Sequence, residues 1–256
     1  MSAFRRLVLA AAFLAYVVVV VGAYVRLHDA GLGCPDWPGC YGRLVGVPHE
    51  THEVAQVERS YGKAVDSGRA WKEIFHRYLA GTLGLLILGI AVAAWRKRRE
   101  LGQSPRLAMA LVVLVAFQAA LGMWTVTLLL KPVIVTLHLL GGLATLGLLV
   151  WLALRQPPLR GAGEAALRVR LWAALGLVVV IGQIALGGWV SSNYAALACI
   201  DFPTCHGEWL PQIGLGVANV LLRLPLPVAV AHNGAAALLL VTLVMLNFTL
   251  FRRSER

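Results

Sequence analysis

Apolar residues in this chain fall into long unbroken runs, separated by shorter polar stretches. Six runs reach spanning length, at about 6–27, 74–95, 107–130, 132–154, 170–191 and 226–250. About 20 consecutive apolar residues suffice to cross a bilayer as a helix. The runs are continuous in Leu, Val and Ala rather than alternating, and a helix satisfies its own backbone groups in lipid. The pattern predicts an all-α, polytopic membrane helix bundle of about six transmembrane helices. The first run, RRLVLAAAFLAYVVVVVGAYV, has spanning length and lacks a clear cleavage context, so it reads as a membrane helix rather than a removable signal. One stretch breaks the rhythm. In CHGEWLPQIGLGVANVLLRLPLP (205–227) a polar loop runs into an apolar piece too short to span.

Composition supports the membrane reading. Of 256 residues, 59% are hydrophobic and 14% charged, against about 25% charged in a soluble domain. The net charge of +11 does not point to nucleic acid, because the basic residues sit at the ends of apolar runs. There they set topology. Arg5 and Arg6 precede the first run, RKRRE (96–100) follows the second, Arg155, Arg160, Arg168 and Arg170 lie between the fourth and fifth, and RRSER closes the chain. With six alternating helices all four clusters share one side. The expectation is a multi-pass protein of the cell (inner, plasma) membrane, with both termini cytoplasmic, lipid around it, and the long loop 28–72 outside.

That loop carries Cys34 and Cys40, and a second loop carries Cys199 and Cys205. Both pairs are C-x5-C and both face outward. Each can close as a disulfide outside the cytoplasm; unpaired loop thiols are the alternative. No four-ligand zinc set accompanies them.

The two cysteine loops belong to an internal repeat. GAYVRLHDAGLGCPDWPGCYG (22–42) aligns with GGWVSSNYAALACIDFPTCHG (187–207) at an offset of 165, matching both cysteines, Asp36 with Asp201 and Gly42 with Gly207. QAALGMWTVTLLLKPVIVTLHLLGG (118–142) aligns with QIGLGVANVLLRLPLPVAVAHNGAA (212–236) at an offset of 94, matching Gln118 with Gln212, Gly122 with Gly216 and His138 with His232. The offsets differ by 71 residues. The chain therefore divides into a four-helix repeat at 1–156 and an incomplete repeat at 157–256, which lacks counterparts of helix 2 and most of helix 3. QIGLGVANV then reads as a helix stump at the outer face.

Ionisable side chains within membrane helices are functional candidates. His76, in EIFHRYLAG, and His138, in KPVIVTLHLLGG, fall at comparable depth near the outer side. Two imidazoles on facing helices of a four-helix bundle suit the axial positions of a haem, with Gly141 and Gly142 letting a flat macrocycle or a neighbouring helix approach closely. Histidines hydrogen-bonded between helices are the plainer reading; recurrence at His232 favours haem. Glu73 shares a helix face with His76 and could relay a proton, or simply favour a helix N-terminus. Arg77 could pair with a haem propionate or snorkel to headgroups.

Together, GLGCPDWPGC, EIFHRYLAG, QAALGMWTVTLLLKP, LGGWVSSNYAALACIDFPTC and AVAHNGAA resemble haem A synthase, the cytochrome oxidase assembly enzyme. The resemblance implies eight helices in two pseudo-symmetric halves, and an oxidoreductase of haem biosynthesis that turns the ring methyl of haem O into the formyl group of haem A by successive hydroxylations. It implies that His76 and His138 hold the iron of the substrate haem O, that Glu73 takes part in catalysis, and that the Cys34–Cys40 pair is linked to activity. It implies a haem b cofactor in the second half, between two further histidines. Only one of these, His232, is present; the other belongs to a missing HR-type helix. Haem O synthase is the expected upstream partner. A shortened sequence record, a natural or engineered short variant, and a homo-oligomer whose chains complete each other all fit the gap. A non-catalytic haem-binding membrane protein is the alternative function. A thiol oxidoreductase fits less well, since C-x-x-C is the usual motif for that chemistry.

Overall fold

The computed structural model describes residues 2–155, 167–193, 204–205, 208–209 and 226–251. Within them six helices are long and apolar enough to span a membrane. They are α1 (Ala3–Leu27), α3 (Ser67–Arg96), α5 (Arg106–Thr127), α6 (Pro132–Leu154), α7 (Leu167–Ser192) and α8 (Leu226–Phe251). Two shorter helices were not anticipated: α2 (Thr51–Tyr61), in the long loop, and α4 (Arg98–Leu101). A two-residue antiparallel pair, Thr204–Cys205 (β1) with Glu208–Trp209 (β2), is the only sheet among the described residues. The protein is an all-α multi-pass membrane protein. The predicted stump at 212–220 and the Cys199–Cys205 pairing lie outside the described residues.

Local chemistry sets the helix ends. Ser2 Oγ accepts from the Arg5 N–H to start α1, and Asp66 Oδ1 accepts from the Arg69 N–H at 3.0 Å to start α3. These side chains satisfy amides that have no intrahelical partner. Because of the Asp66 cap, α3 starts seven residues before its apolar run does. Pro132 opens α6 at a position where its missing N–H costs nothing.

Helices α1, α3, α5 and α6 close a ring. α1 and α5 each pack on α3 and on α6, while α3 and α6 do not touch and so occupy opposite corners. α8 packs on α1 and α6, and α7 packs on α6 and α8. Val8, Ile87, Ile90, Leu111, Leu146 and Leu149 are fully buried between them. In lipid such contacts act by close packing rather than by removal from water. The face holding both ends of the described chain is called the terminal face below; the other, carrying the 28–66 connection, is the loop face.

A second small core forms at the loop face, from Cys34, Cys40, Tyr41 and Val47 with Ala70 and Ile74 of α3. The Cys34–Cys40 disulfide is formed. Asp36 folds the hairpin between the sulfurs: its two carboxylate oxygens accept from the Tyr41 and Gly42 N–H groups at 2.6 and 2.7 Å. Gly42 has φ +76°, a left-handed conformation natural to glycine. This explains why Asp and Gly recur with the cysteines in the repeat.

Candidate functional site

His76 descends from the loop face on α3 and His138 on α6. They come from the two opposite corners of the ring, and each ring rests on a glycine of a neighbouring helix. A Cβ added to Gly22 of α1 would lie 3.0 Å from His76 Cε1; one added to Gly122 of α5 would lie 3.3 Å from His138 Cε1. Nδ1 of both imidazoles is buried without a hydrogen-bond partner. Buried polar atoms are nearly always satisfied, and a neutral imidazole offers one donor and one acceptor nitrogen. Two orphaned imidazoles at opposite corners of a helix ring form a donor set that an axially ligated metal macrocycle fits.

Sequence reasoning marked Gln118 only as a repeat match; the structure gives it work. Its Nε2 donates to the His138 carbonyl at 2.7 Å. Of the two readings of Gly141 and Gly142, the close approach of a neighbouring helix is the one seen, through this side chain of α5: a Cβ on either would meet the Gln118 amide, at 2.8 Å from its carbon and 3.4 Å from its nitrogen respectively. The glycines that cradle the histidines are Gly22 and Gly122, and the signal was present in the repeat, where both positions recur as Gly187 and Gly216. An apolar groove of about 530 Å³ on the loop side is lined by Val20, Tyr24, Trp71, Phe75 and Val230 among others. Neither histidine lines it.

Glu73 lies one turn before His76 and Arg77 directly follows it, and both are turned to the loop hairpin. Glu73 is buried, 5% exposed. Its Oε2 accepts from the Cys34 N–H at 2.9 Å, and its Oε1 pairs with Arg77 Nη2 at 2.5 Å. Arg77 Nη1 donates to the carbonyls of Asp36, Pro38 and Gly39. The guanidinium thus spans the disulfide hairpin and the carboxylate in one fork, a geometry lysine cannot reproduce. Gly33 runs so close to α3 that a Cβ there would lie 2.6 Å from the Arg69 carbonyl carbon. Together these contacts fix the hairpin over the loop end of the histidine helix. Farther out, Arg43 Nη2 meets Glu53 Oε1 at 2.8 Å. This hydrogen bond, with backbone donors from His49 and Glu50, holds the Glu53 carboxyl down at about 2. Burial, with Asp66 and Glu73 nearby, pushes the Tyr41 hydroxyl up.

The C-terminal half looks different. His232, on α8, is exposed and has no hydrogen-bond partner among the described residues. Cys199 lies outside those residues, and Cys205 is described only as part of β1.

Residues 5–213 match the family of cytochrome oxidase assembly proteins. The chain belongs to this family, which includes haem A synthase. It is 37% identical to a haem A synthase of Shewanella oneidensis, with 93% of this chain and 94% of that protein covered. It is 29% identical to one from Halalkalibacterium halodurans, covering 90% of this chain and 70% of that one. It is 29% identical to one from Symbiobacterium thermophilum, covering 100% and 78%. The Shewanella alignment runs over 314 positions against 256 residues here, so that haem A synthase has residues with no counterpart in this chain.

Proposed function

We propose that this chain is a haem A synthase-type membrane oxidoreductase, converting the methyl group of haem O to the formyl group of haem A by successive hydroxylations. The observation that carries the reading is the pair of buried, unpartnered histidines, His76 and His138, at opposite corners of a four-helix ring, in a chain of this family. In this reading they hold the substrate's iron from its two faces, and the Gly22 and Gly122 cradles fix the ring orientation that points a nitrogen inward. The substrate supplies the iron and the porphyrin whose methyl is oxidised. The protein supplies a dry, apolar enclosure and a fixed depth below the loop face. Glu73, one turn from His76, is the acid–base candidate. Arg77 holds Glu73 and the hairpin in place, which favours a positioning part for it over propionate binding.

His232 is the one ligand left in the second half for a haem b cofactor. The incomplete second repeat is supported by a family match that stops at residue 213, where the two repeat offsets meet, and by an alignment longer than the chain. The basic clusters put the termini in the cytoplasm and the disulfide hairpin outside the inner membrane. Haem O synthase, whose product is the substrate in this reading, is the expected upstream partner. The test is expression with a haem O source, followed by chromatography of extracted haems. Haem A or hydroxylated haem O is the expected product; its absence, with haem O bound, would leave a binding protein instead.

A further inference from the structure

Two polar side chains of the C-terminal helices lie on open faces within membrane spans. His232 of α8 and Gln183 of α7 are both exposed, without a hydrogen-bond partner among the described residues. Within a bilayer such groups are costly, and they normally face a partner or a cavity. Their placement is ordered. Gly176 of α7 packs on Leu243 of α8, where an added Cβ would lie 3.8 Å from Leu243 Cδ2. Gly187 and His232 each stand eleven residues from that contact toward the loop face, so they are level. Eleven residues make about three helical turns, so both also point as the contact points. Gln183 falls on the same stripe. The facing stripes of α7 and α8 are therefore packed near the terminal face, where Asn247 also donates to the Ala173 carbonyl, and open near the loop face.

The first bundle shows the same stripe covered. Gly187 is the repeat counterpart of Gly22, and His232 that of His138. Gly22 cradles His76, whereas no described residue lies within 4 Å of a Cβ built on Gly187. Among the described residues the half-bundle thus holds a glycine with no histidine on it, and a histidine with no second histidine to face; Gly216, the counterpart of the Gly122 cradle, lies outside them.

We propose that two copies of this chain close each other's half-bundle about a twofold axis along the membrane normal, seating His232 of each on Gly187 of the other to form one shared bis-histidine haem site. That rotation keeps both copies in the same membrane orientation. It places α7 and α8 of one copy and α7 and α8 of the other in one ring, with helix directions alternating as in α1, α3, α5 and α6. The two α8 helices take opposite corners, as α3 and α6 do. Symmetry puts the two His232 rings at one depth. The inference rests on reading His76 and His138 as a haem site, and it departs from the family pattern, in which both ligands of the second site come from one chain.

The test uses the full chain in lipid nanodiscs, from cells supplied with haem. One arm needs no haem: two differently tagged copies, one Gly187→Cys and one His232→Cys, are co-expressed and oxidised. A covalent dimer carrying both tags is expected, and is not expected when Leu171→Cys near the terminal face replaces Gly187→Cys. The other arm counts haem per chain. His232→Ala is expected to remove about one third of the bound haem, and the paired His76→Ala and His138→Ala variant about two thirds. Absence of the mixed dimer, or haem content indifferent to His232→Ala, would overturn the shared site. Haem content that responds to His232→Ala but not to the His76 and His138 changes would instead overturn the reading of the first bundle, leaving the dimer standing.

Discussion

The N-terminal ring and the C-terminal helix pair share ancestry in the repeat, yet they treat the same residues in opposite ways. His138 is wedged against Gly122 with its Nδ1 sealed off; its counterpart His232 is exposed. Gly22 is filled by an imidazole; its counterpart Gly187 meets no atom among the described residues. Only 6% of the most apolar stretch of α7 is buried, against 33% in α6. The difference teaches that a histidine in this fold is buried and oriented by its neighbours. A cradle glycine and two flanking helices set the ring, and a histidine on its own helix remains a costly exposed group.

The contrast can be broken most severely at the ligands. His76→Ala or His138→Ala is expected to lower haem affinity more than about 10-fold, since loss of supporting partners alone costs 10–100-fold at metal sites. Titration of apo-protein with haem, followed by its Soret absorbance, reads this directly. Next comes the clamp. Arg77→Ala leaves the buried Glu73 carboxyl without its guanidinium and the hairpin carbonyls without their donor, a loss expected at about 3–5 kcal/mol. The thermal melt should drop, and protease should reach the hairpin sooner. Arg77→Lys should recover only part, because a point charge cannot serve both the carboxylate and the loop carbonyls.

Smaller effects sharpen the comparison between repeats. Gly22→Ala presses on the His76 ring and is expected to cost about 1–3 kcal/mol by overpacking. Gly187→Ala at the matched position meets nothing among the described residues and should stay within about 0.5 kcal/mol. A larger loss at Gly187 would mean that something outside the single chain packs there. Gln118→Leu removes the donor to the His138 carbonyl, an expected loss of about 1 kcal/mol. The smallest effect is one of acidity at the loop face. Glu53 has a folded pKa of about 2, below the usual carboxylate range. Its contribution to holding α2 is therefore full above the unfolded value and lost as the pH falls through about 2. The protection of α2 amides, relative to their intrinsic exchange rate at each pH, should fall over that window, and Glu53→Gln should flatten the profile.

Much of this was legible in the sequence. Six spans, their alternation and the two histidines follow from unbroken apolar runs with ionisable residues inside them. The start of α3 was missed because Ser67 to Glu73 is polar; it is a cap, not hydropathy, that begins this helix. α2 was missed for the same reason, although Glu50 and Glu53 cap its first turn reciprocally. The Glu73–Arg77 ion pair was missed, although the two residues stand at i, i+4 spacing. The hydrogen bonds of Arg77 to Asp36, Pro38 and Gly39 could not be read, because they join residues about 40 positions apart through the folded hairpin. Gly141 and Gly142 announced a close approach, and glycine alone does not name whether a macrocycle or a neighbouring helix makes it.

The hairpin at the loop face is held without help from its sulfurs. Cys34 hangs by its amide from Glu73, Cys40 exchanges backbone hydrogen bonds with Arg43, and Asp36 ties down the turn between them. If the sulfur–sulfur bond is reduced, these anchors keep the two thiols side by side at high effective concentration. The hairpin around the pair then keeps its shape, anchored at Glu73, one helical turn before His76.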